Sequence, residues 1–382
     1  MNSTALTEVI KIKKKVLFGI TSLGFGGAER VLVDISNKLS EKYDVTIFSI
    51  YDHGELQKEL NNSVKFKSLY RCSYKELNNI QRMWSPIRIL LFARILYKKY
   101  IKDNYDVEVS FLEGPITRLF STKNKKTKKF AWIHNDIKRV FGSGLKAKIK
   151  KAIDKKIYDR YDNLVFVSKD NRDSFKEVYT NIDENKMNVI YNYIDKDLVI
   201  KKSNILENME NINKDGFPKL VTVCRLVEQK AIDRFIKVHS KLVKEGIHNE
   251  VYIIGDGPER ERLQKLIEQE NVQSTFKLLG KKDNPYPYIK MADYFCLLSN
   301  YEGYGMVLEE AKILGKKVII TDTAAREAVE GYSQARILGN NENDIYSGLK
   351  EIITSDKKEN IQDEYNYDNK EIIDKIINLI NQ

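Results

Sequence analysis

At 382 residues, with 42% hydrophobic residues and six prolines, the chain is long enough for two domains that each bury a core. Three widely separated cysteines (Cys72, Cys224, Cys296) argue against a disulfide framework or a zinc site. No signal peptide or membrane span is expected, because 16–20 is too short and 87–101 is broken by Arg88, Arg94, Lys98 and Lys99. The net charge of +11 is uneven: 38 Lys+Arg face 23 Asp+Glu in 1–196, and 27 face 31 in 197–382. A polyanionic partner is therefore expected for the first half alone.

Short β-branched runs at 16–20, 44–50, 64–68, 106–111, 129–133, 163–167 and 188–191 predict seven strands in that half. Helical periodicity falls between them at 28–39, 87–101, 145–158 and 170–179. The first strand runs into Gly24-Phe25-Gly26-Gly27-Ala28-Glu29-Arg30 at the start of a helix. Glycines there let backbone approach a ligand, and a helix N-terminus favours an anion; a tight turn without a ligand is the competing reading. His134 ends the run at 130–133, where a structural histidine competes with a functional one.

After Asp195 a polar stretch reads as a linker over 197–217, dividing 1–196 from 218–382. The second half predicts strands at 220–224, 251–255, 276–279, 294–298, 318–321 and 335–338, and an isoleucine-rich terminal helix that should dock on a domain surface. The alternation in both halves predicts an α/β fold of two doubly wound, Rossmann-like domains facing across a cleft lined by the loops that follow strands. Arg225 and Lys230 lie in one such loop, where a guanidinium and an ammonium can neutralise a diphosphate. The densest pattern is Ser299-Asn300-Tyr301-Glu302-Gly303-Tyr304-Gly305-Met306-Val307-Leu308-Glu309-Glu310. Glu302 can accept from sugar hydroxyls, the N–H groups from Gly303 through Met306 can meet a phosphate, and Glu310 can chelate a ribose diol.

Gly26-Gly27-Ala28-Glu29-Arg30, the loop from Arg225 to Lys230, Gly255-Asp256-Gly257-Pro258 and the glutamates Glu302 and Glu310 resemble glycosyltransferase family 4, in register from about 14 to 355. The resemblance implies a retaining enzyme of the GT-B fold, of the kind used in bacterial surface polysaccharide assembly, capsule included. It implies that Arg225 and Lys230 hold the donor diphosphate, Glu302 and His134 the transferred sugar, and Glu310 the ribose. Gly26 and Gly27 would line the cleft near the phosphates and the acceptor, and Gly255 and Gly280 would frame the base. The chain departs from the family at Cys224-Arg225, where Gly-Arg is usual, at Lys230-Ala231, where Lys-Gly is usual, and at Ala324-Ala325. The local backbone and the sugar preference are what these departures affect.

Asp195-Lys196-Asp197 has the form of a metal-binding D-x-D but sits at the linker, and reads as turn chemistry. No cofactor and no metal are expected; the nucleotide-sugar donor, a uridine diphosphate by family frequency, is a co-substrate. The expected acceptor is a glycan or a polyprenyl-diphosphate-linked glycan. Basic runs at 11–15, 123–129 and 146–156 suggest an anionic inner-membrane surface as a partner of a cytoplasmic, peripheral protein. The last is a helix with Leu145, Ile149, Ile153 and Ile157 on one stripe. No nucleic-acid module is recognisable. A non-catalytic nucleotide-sugar or polyanion binder on the same fold is the alternative, with a GT-B epimerase or phosphorylase as a third reading.

Overall fold

Every strand is parallel to its neighbours, and most central strands are buried along their whole length, as expected for Val/Ile-rich runs covered on both faces. The structure, a computed structural model, describes residues 13–382 except 25, 125, 136, 138–144, 206–211, 213–215, 356–364 and 366, and leaves out the side chains of 145–149. It divides into two units. The first comprises 1–167, 172–193 and 375–382; the second comprises 168–171 and 194–374.

In the first unit seven strands run β1 (Lys15–Ile20), β2 (Asp44–Tyr51), β3 (Lys65–Tyr70), β4 (Val107–Ser110), β5 (Lys128–Ile133), β6 (Asn163–Phe166) and β7 (Met187–Val189). Their spatial order is β3-β2-β1-β4-β5-β6-β7. The helices are α1 (Gly27–Leu39), α2 (Asn79–Tyr100), α3 (Pro115–Phe120), α4 (Leu145–Tyr158) and α5 (Lys169–Val178). Helix α1 buries Val31, Leu32, Ile35 and Leu39, spaced as one helical stripe. Helix α2 starts eight residues before the expected 87, because the Asn78 side chain accepts from Gln81 N and caps it.

The second unit has β8 (Lys219–Val223), β9 (Glu250–Ile254), β10 (Phe276–Gly280), β11 (Tyr294–Leu297), β12 (Lys317–Thr321) and β13 (Ala335–Leu338), ordered β10-β9-β8-β11-β12-β13. Its helices are α6 (Lys196–Ser203), α7 (Ile232–Lys244), α8 (Arg260–Gln269), α9 (Tyr286–Met291), α10 (Met306–Ile313) and α11 (Glu342–Ser355). Helix α12 (Asn369–Asn381) closes the chain.

Three sequence expectations change. The stretch read as a linker over 197–217 begins as helix, with Asp195 as its N-cap accepting from Leu198 N at 2.9 Å; this is the turn role expected for that aspartate. The terminal residues 375–382 belong to the first unit, not to 218–382. Ile376, Leu379 and Ile380 are buried, Lys14 Nζ donates to Ile380 O at 2.8 Å, and Tyr43 OH donates to Asn381 Oδ1 at 3.3 Å. Lys129, counted in the basic run 123–129, is not a surface charge. It is buried, with Nζ 2.6 Å from Glu108 Oε2 and 2.8 Å from Phe120 O. All three cysteines are free.

Candidate functional site

Strand order reverses beside β1 in the first sheet and beside β8 in the second: β1 lies between β2 and β4, and β8 between β9 and β11. Loops leaving the carboxyl ends of such strand pairs diverge, and the crevice they leave is where open α/β sheets bind ligands. The sequence-derived residues collect at these two places. Gly26 and Gly27 follow β1. His134 follows β5, the strand beside β4. Arg225 and Lys230 follow β8, and the loop from Ser299 to Gly305 follows β11.

In the second unit the two loops are bonded to each other. Asn300 N donates to Gln229 O at 2.9 Å, Gln229 Nε2 to Tyr301 O at 2.9 Å, and Asn300 Nδ2 to Glu228 O at 3.1 Å. These bonds bring Lys230 Nζ to 2.5 Å from Glu302 Oε1, and Ser299 Oγ donates to the same oxygen at 2.6 Å. Both side chains of the pair are largely buried, so each fixes the position of the other. An ammonium has three N–H groups and a carboxylate two accepting oxygens. Two N–H groups of Lys230 thus remain for a phosphate. Glu302 Oε2 bonds to none of the described residues and is open to a hydroxyl. Arg225 is exposed, and its guanidinium is unpaired among the described residues. Burial pushes the neighbouring Cys224 thiol up to about 12, so it stays a neutral packing group.

The loop carrying Arg225 is held from behind. Leu226 N donates to Asp256 O at 3.0 Å, Glu259 N to Leu226 O at 3.1 Å, and Gly255 N to Gly280 O at 2.9 Å. Gly255 has φ +138, and a Cβ there would fall onto the carbonyl oxygen of Cys224. This glycine lets two backbones touch. Gly280, with φ +74, ends β10 beside it.

Gly305 has φ +75 and is the N-cap of α10, whose first residue is Met306; Gly303 lies two residues ahead of that cap. Tyr304, between the glycines, points inward, and its hydroxyl donates to Glu309 Oε1 at 2.7 Å. Burial, reinforced by that carboxylate, keeps the phenol protonated. Only the Tyr304 backbone is therefore available to a ligand. Glu309 and Glu310 have different surroundings. Glu309 is buried against Lys312, Tyr304 and Tyr365, whereas Glu310 is half-buried and accepts from Tyr286 OH at 3.1 Å. Sequence reading missed Tyr286, which lies on α9, 24 positions away.

Ala231, where the family usually has glycine, adopts φ 49 and ψ 39 between Lys230 and α7. A left-handed conformation costs an L-residue about 1–2 kcal/mol, offset in part by glycine's larger unfolded-state entropy. Ala231→Gly should stabilise the protein by about 0.5–1 kcal/mol and raise its Tm by about 2 °C. Differential scanning calorimetry reads this directly; an unchanged or lowered Tm would show that the αL backbone is not strained.

In the first unit Gly26 is the N-cap of α1 with extended backbone, and Gly27 opens the helix. Arg30, four residues on, is tied to Glu59 by two bonds of 2.5 and 2.9 Å, which fixes the first helical turn. His134 N and Asn135 N donate to Glu113 Oε1 at 2.6 and 2.8 Å, and Asn135 Nδ2 donates to Oε2 at 2.7 Å. Glu113, in the loop between β4 and α3, therefore holds the histidine loop in place. Sequence reading missed it, although a carboxylate before Gly114-Pro115 in a post-strand loop was a usable signal. The His134 ring packs 4.7 Å from the Phe111 ring, and its buried Nε2 has no partner among the described residues. Burial lowers its pKa to about 3. A ring neutral at physiological pH can orient a hydroxyl but cannot serve as a cationic phosphate ligand.

Among the described residues no group of three or more His, Cys, Asp or Glu could hold a metal ion. Two family models match, Glycosyltransferase Family 4 over residues 25–198 and Glycosyl transferases group 1 over 204–380. The chain is 26% identical over 358 residues to the N-acetylgalactosamine-N,N'-diacetylbacillosaminyl-diphospho-undecaprenol 4-alpha-N-acetylgalactosaminyltransferase of Campylobacter jejuni, covering 88% of this chain and 90% of that one. Its fold is that of HepE from Anabaena, solved with UDP and glucose, at a TM-score of 0.74 and 15% identity over 96% of this chain and 99% of the other. WaaG, a glycosyltransferase involved in lipopolysaccharide biosynthesis, has the same fold at a TM-score of 0.68 and 15% identity, again over 96% and 99%.

Proposed function

Because the chain belongs to glycosyltransferase family 4, we propose that it transfers a hexose-type sugar, with retention of configuration, from a uridine diphosphate donor. The acceptor is a glycan or a polyprenyl-diphosphate-linked glycan in surface polysaccharide assembly. Membership decides for a transferase over the binder, epimerase and phosphorylase alternatives. The observation that carries the donor assignment is the Lys230–Glu302 pair, which presents spare N–H groups and a spare carboxylate oxygen beside the unpaired Arg225.

In this reading Arg225 and two N–H groups of Lys230 bind the diphosphate and neutralise the charge that grows as it leaves. The N–H groups at the start of α10 add a partial positive charge. Glu302 Oε2 accepts from a sugar hydroxyl and Glu310 from the ribose diol, with Tyr286 fixing its rotamer. His134 orients the sugar or acceptor as a neutral ring held by Glu113. The acceptor oxygen attacks the anomeric carbon on the face the phosphate leaves. The carbon–phosphate-oxygen bond breaks, and the acceptor proton passes to the departing phosphate oxygen. Two side-chain cations and a helix N-terminus take the place a divalent ion would otherwise fill, so donor binding is metal-independent. The enzyme works in the cytoplasm at the inner face of the cell membrane, where a lipid-linked acceptor is presented.

Calorimetric titration with UDP in excess EDTA tests the donor site. One-site binding is expected, weakened about tenfold or more by Arg225→Ala and by Glu310→Ala, as loss of charged hydrogen bonds worth ~1.5–3 kcal/mol requires. Binding that appears only when Mg²⁺ or Mn²⁺ is added would overturn the metal-independent reading.

A further inference from the structure

Helix α2 is apolar on two opposite sides. Ser85, Ile89, Leu96 and Tyr97 face inward and are buried. On the other side Ile80, Met83, Trp84, Ile87 and Leu91 follow one another at helical spacing, and Ile95 lies just past a kink at Phe92, each 38–67% exposed. Eight of the fourteen exposed large hydrophobic side chains among the described residues lie on this one helix, so they form a patch and not a scatter. Its charge is of one sign: Arg82, Arg88, Arg94, Lys98 and Lys99, with no acidic residue. Beside it, a groove of about 580 Å³ between α2 and α4 is lined by the apolar side chains of Leu90, Ile153 and Ile157. Arg94, Lys123, Lys156 and Arg160 line it as well.

We infer that α2 is the membrane-contacting element, lying in the plane of an anionic phospholipid surface with the Ile80–Ile95 stripe in the acyl boundary and the groove cations on headgroup phosphates. The inference rests on the membrane part of the proposed function and moves the contact from the 146–156 helix expected from sequence; the side chains of Lys146 and Lys148 lie outside the described residues. Charge complementarity selects the occupant. A second copy would bring two like-charged helices face to face across a two-fold axis, whereas anionic headgroups neutralise them. No helix among the described residues is long and apolar enough to cross a membrane. An exposed apolar stripe flanked by Arg and Lys instead fits an interfacial helix, with Trp84 as an amphipathic anchor.

The chain has two tryptophans, and Trp132 is buried, so Trp84 is a built-in reporter. Full-length protein is mixed with phosphatidylcholine vesicles or with vesicles containing increasing phosphatidylglycerol, and sedimentation and tryptophan emission are read together. Binding that rises with phosphatidylglycerol and falls with salt is expected, with a blue shift that disappears in Trp84→Phe. Leu91→Glu with Ile95→Glu should lower the partition coefficient at least tenfold while leaving UDP binding unchanged, which also certifies the fold. If the wild type sediments but the double variant sediments equally and Trp84 is silent, α2 is not the contact, although membrane association stands. If the wild type stays in the supernatant on strongly anionic vesicles, both fall, and the donor reading is untouched. Equal binding to neutral vesicles overturns the anionic-lipid assignment. A concentration-dependent dimer abolished by the double variant would assign the face to a second copy.

Discussion

Lys230→Met and Glu302→Gln should each lower sugar transfer by ~10²–10³-fold, the usual cost of removing one preorganised group that stabilises developing charge. The two variants should differ in stability. Lys230→Met leaves Glu302, which is largely buried, with only the Ser299 hydroxyl as a partner. Removing one side of a buried ion pair costs about 3 kcal/mol. Glu302→Gln keeps the Ser299 bond and an amide oxygen for Lys230, which loses its counter-charge but is the more exposed of the two, so its cost is smaller, about 1–2 kcal/mol. The double variant Lys230→Met/Glu302→Gln should regain part of the stability lost in Lys230→Met and none of the activity. Thermal denaturation and initial rates on the four proteins separate the two roles. A double variant that recovered transfer would make the pair a structural clasp and remove both residues from the chemistry.

Gly255→Ala is expected to be the most damaging single-methyl change in the second unit. Its Cβ would collide with the Cys224 carbonyl, a backbone atom that cannot move without displacing Arg225, and φ +138 is itself strained for alanine. Overpacking and backbone strain together predict a loss of about 3–5 kcal/mol, or roughly a 10 °C drop in Tm. The folded fraction should bind UDP poorly. Gly331→Ala is the control: it also has positive φ, but nothing lies within 4 Å of its Cβ position. Equal Tm losses in the two variants would mean that strain alone, and not the close approach to Cys224, explains the glycine.

The strands were legible because buried parallel strands are continuous β-branched runs, and each of the thirteen lies within about two residues of its expected position. Their order was not, since no local pattern states that β4 lies beside β1 or β11 beside β8. The switch points that gather the site are therefore a finding of the structure. Arg225, Lys230 and Glu302 could be named from residue type in post-strand loops, and Glu310 from its place in the helix that follows one. Their pairing could not, because Lys230 and Glu302 are 72 residues apart. The same limit hid Tyr286 behind Glu310. Glu113 was different: it followed a strand and preceded Gly114-Pro115, but its bonds to the His134 and Asn135 amides span 21 and 22 residues, which no local pattern states. Charge counting misled at Lys129, since composition cannot distinguish an exposed lysine from one buried on Glu108. The second apolar face of α2 was not legible in sequence, because only burial reveals that it is left uncovered.

The central claim is that this chain cleaves the sugar–phosphate bond of a nucleotide diphosphate donor with groups on the β8 and β11 loops. Release of free nucleoside diphosphate from a panel of nucleotide sugars, measured without acceptor and in excess EDTA, tests it most directly. Slow release is predicted from at least one uridine diphosphate sugar, with the sugar freed in the donor's anomeric configuration and the rate lost in Glu302→Gln. Folded wild-type protein that releases nucleotide from no donor, or Glu302→Gln protein that releases it at the wild-type rate, would contradict the account.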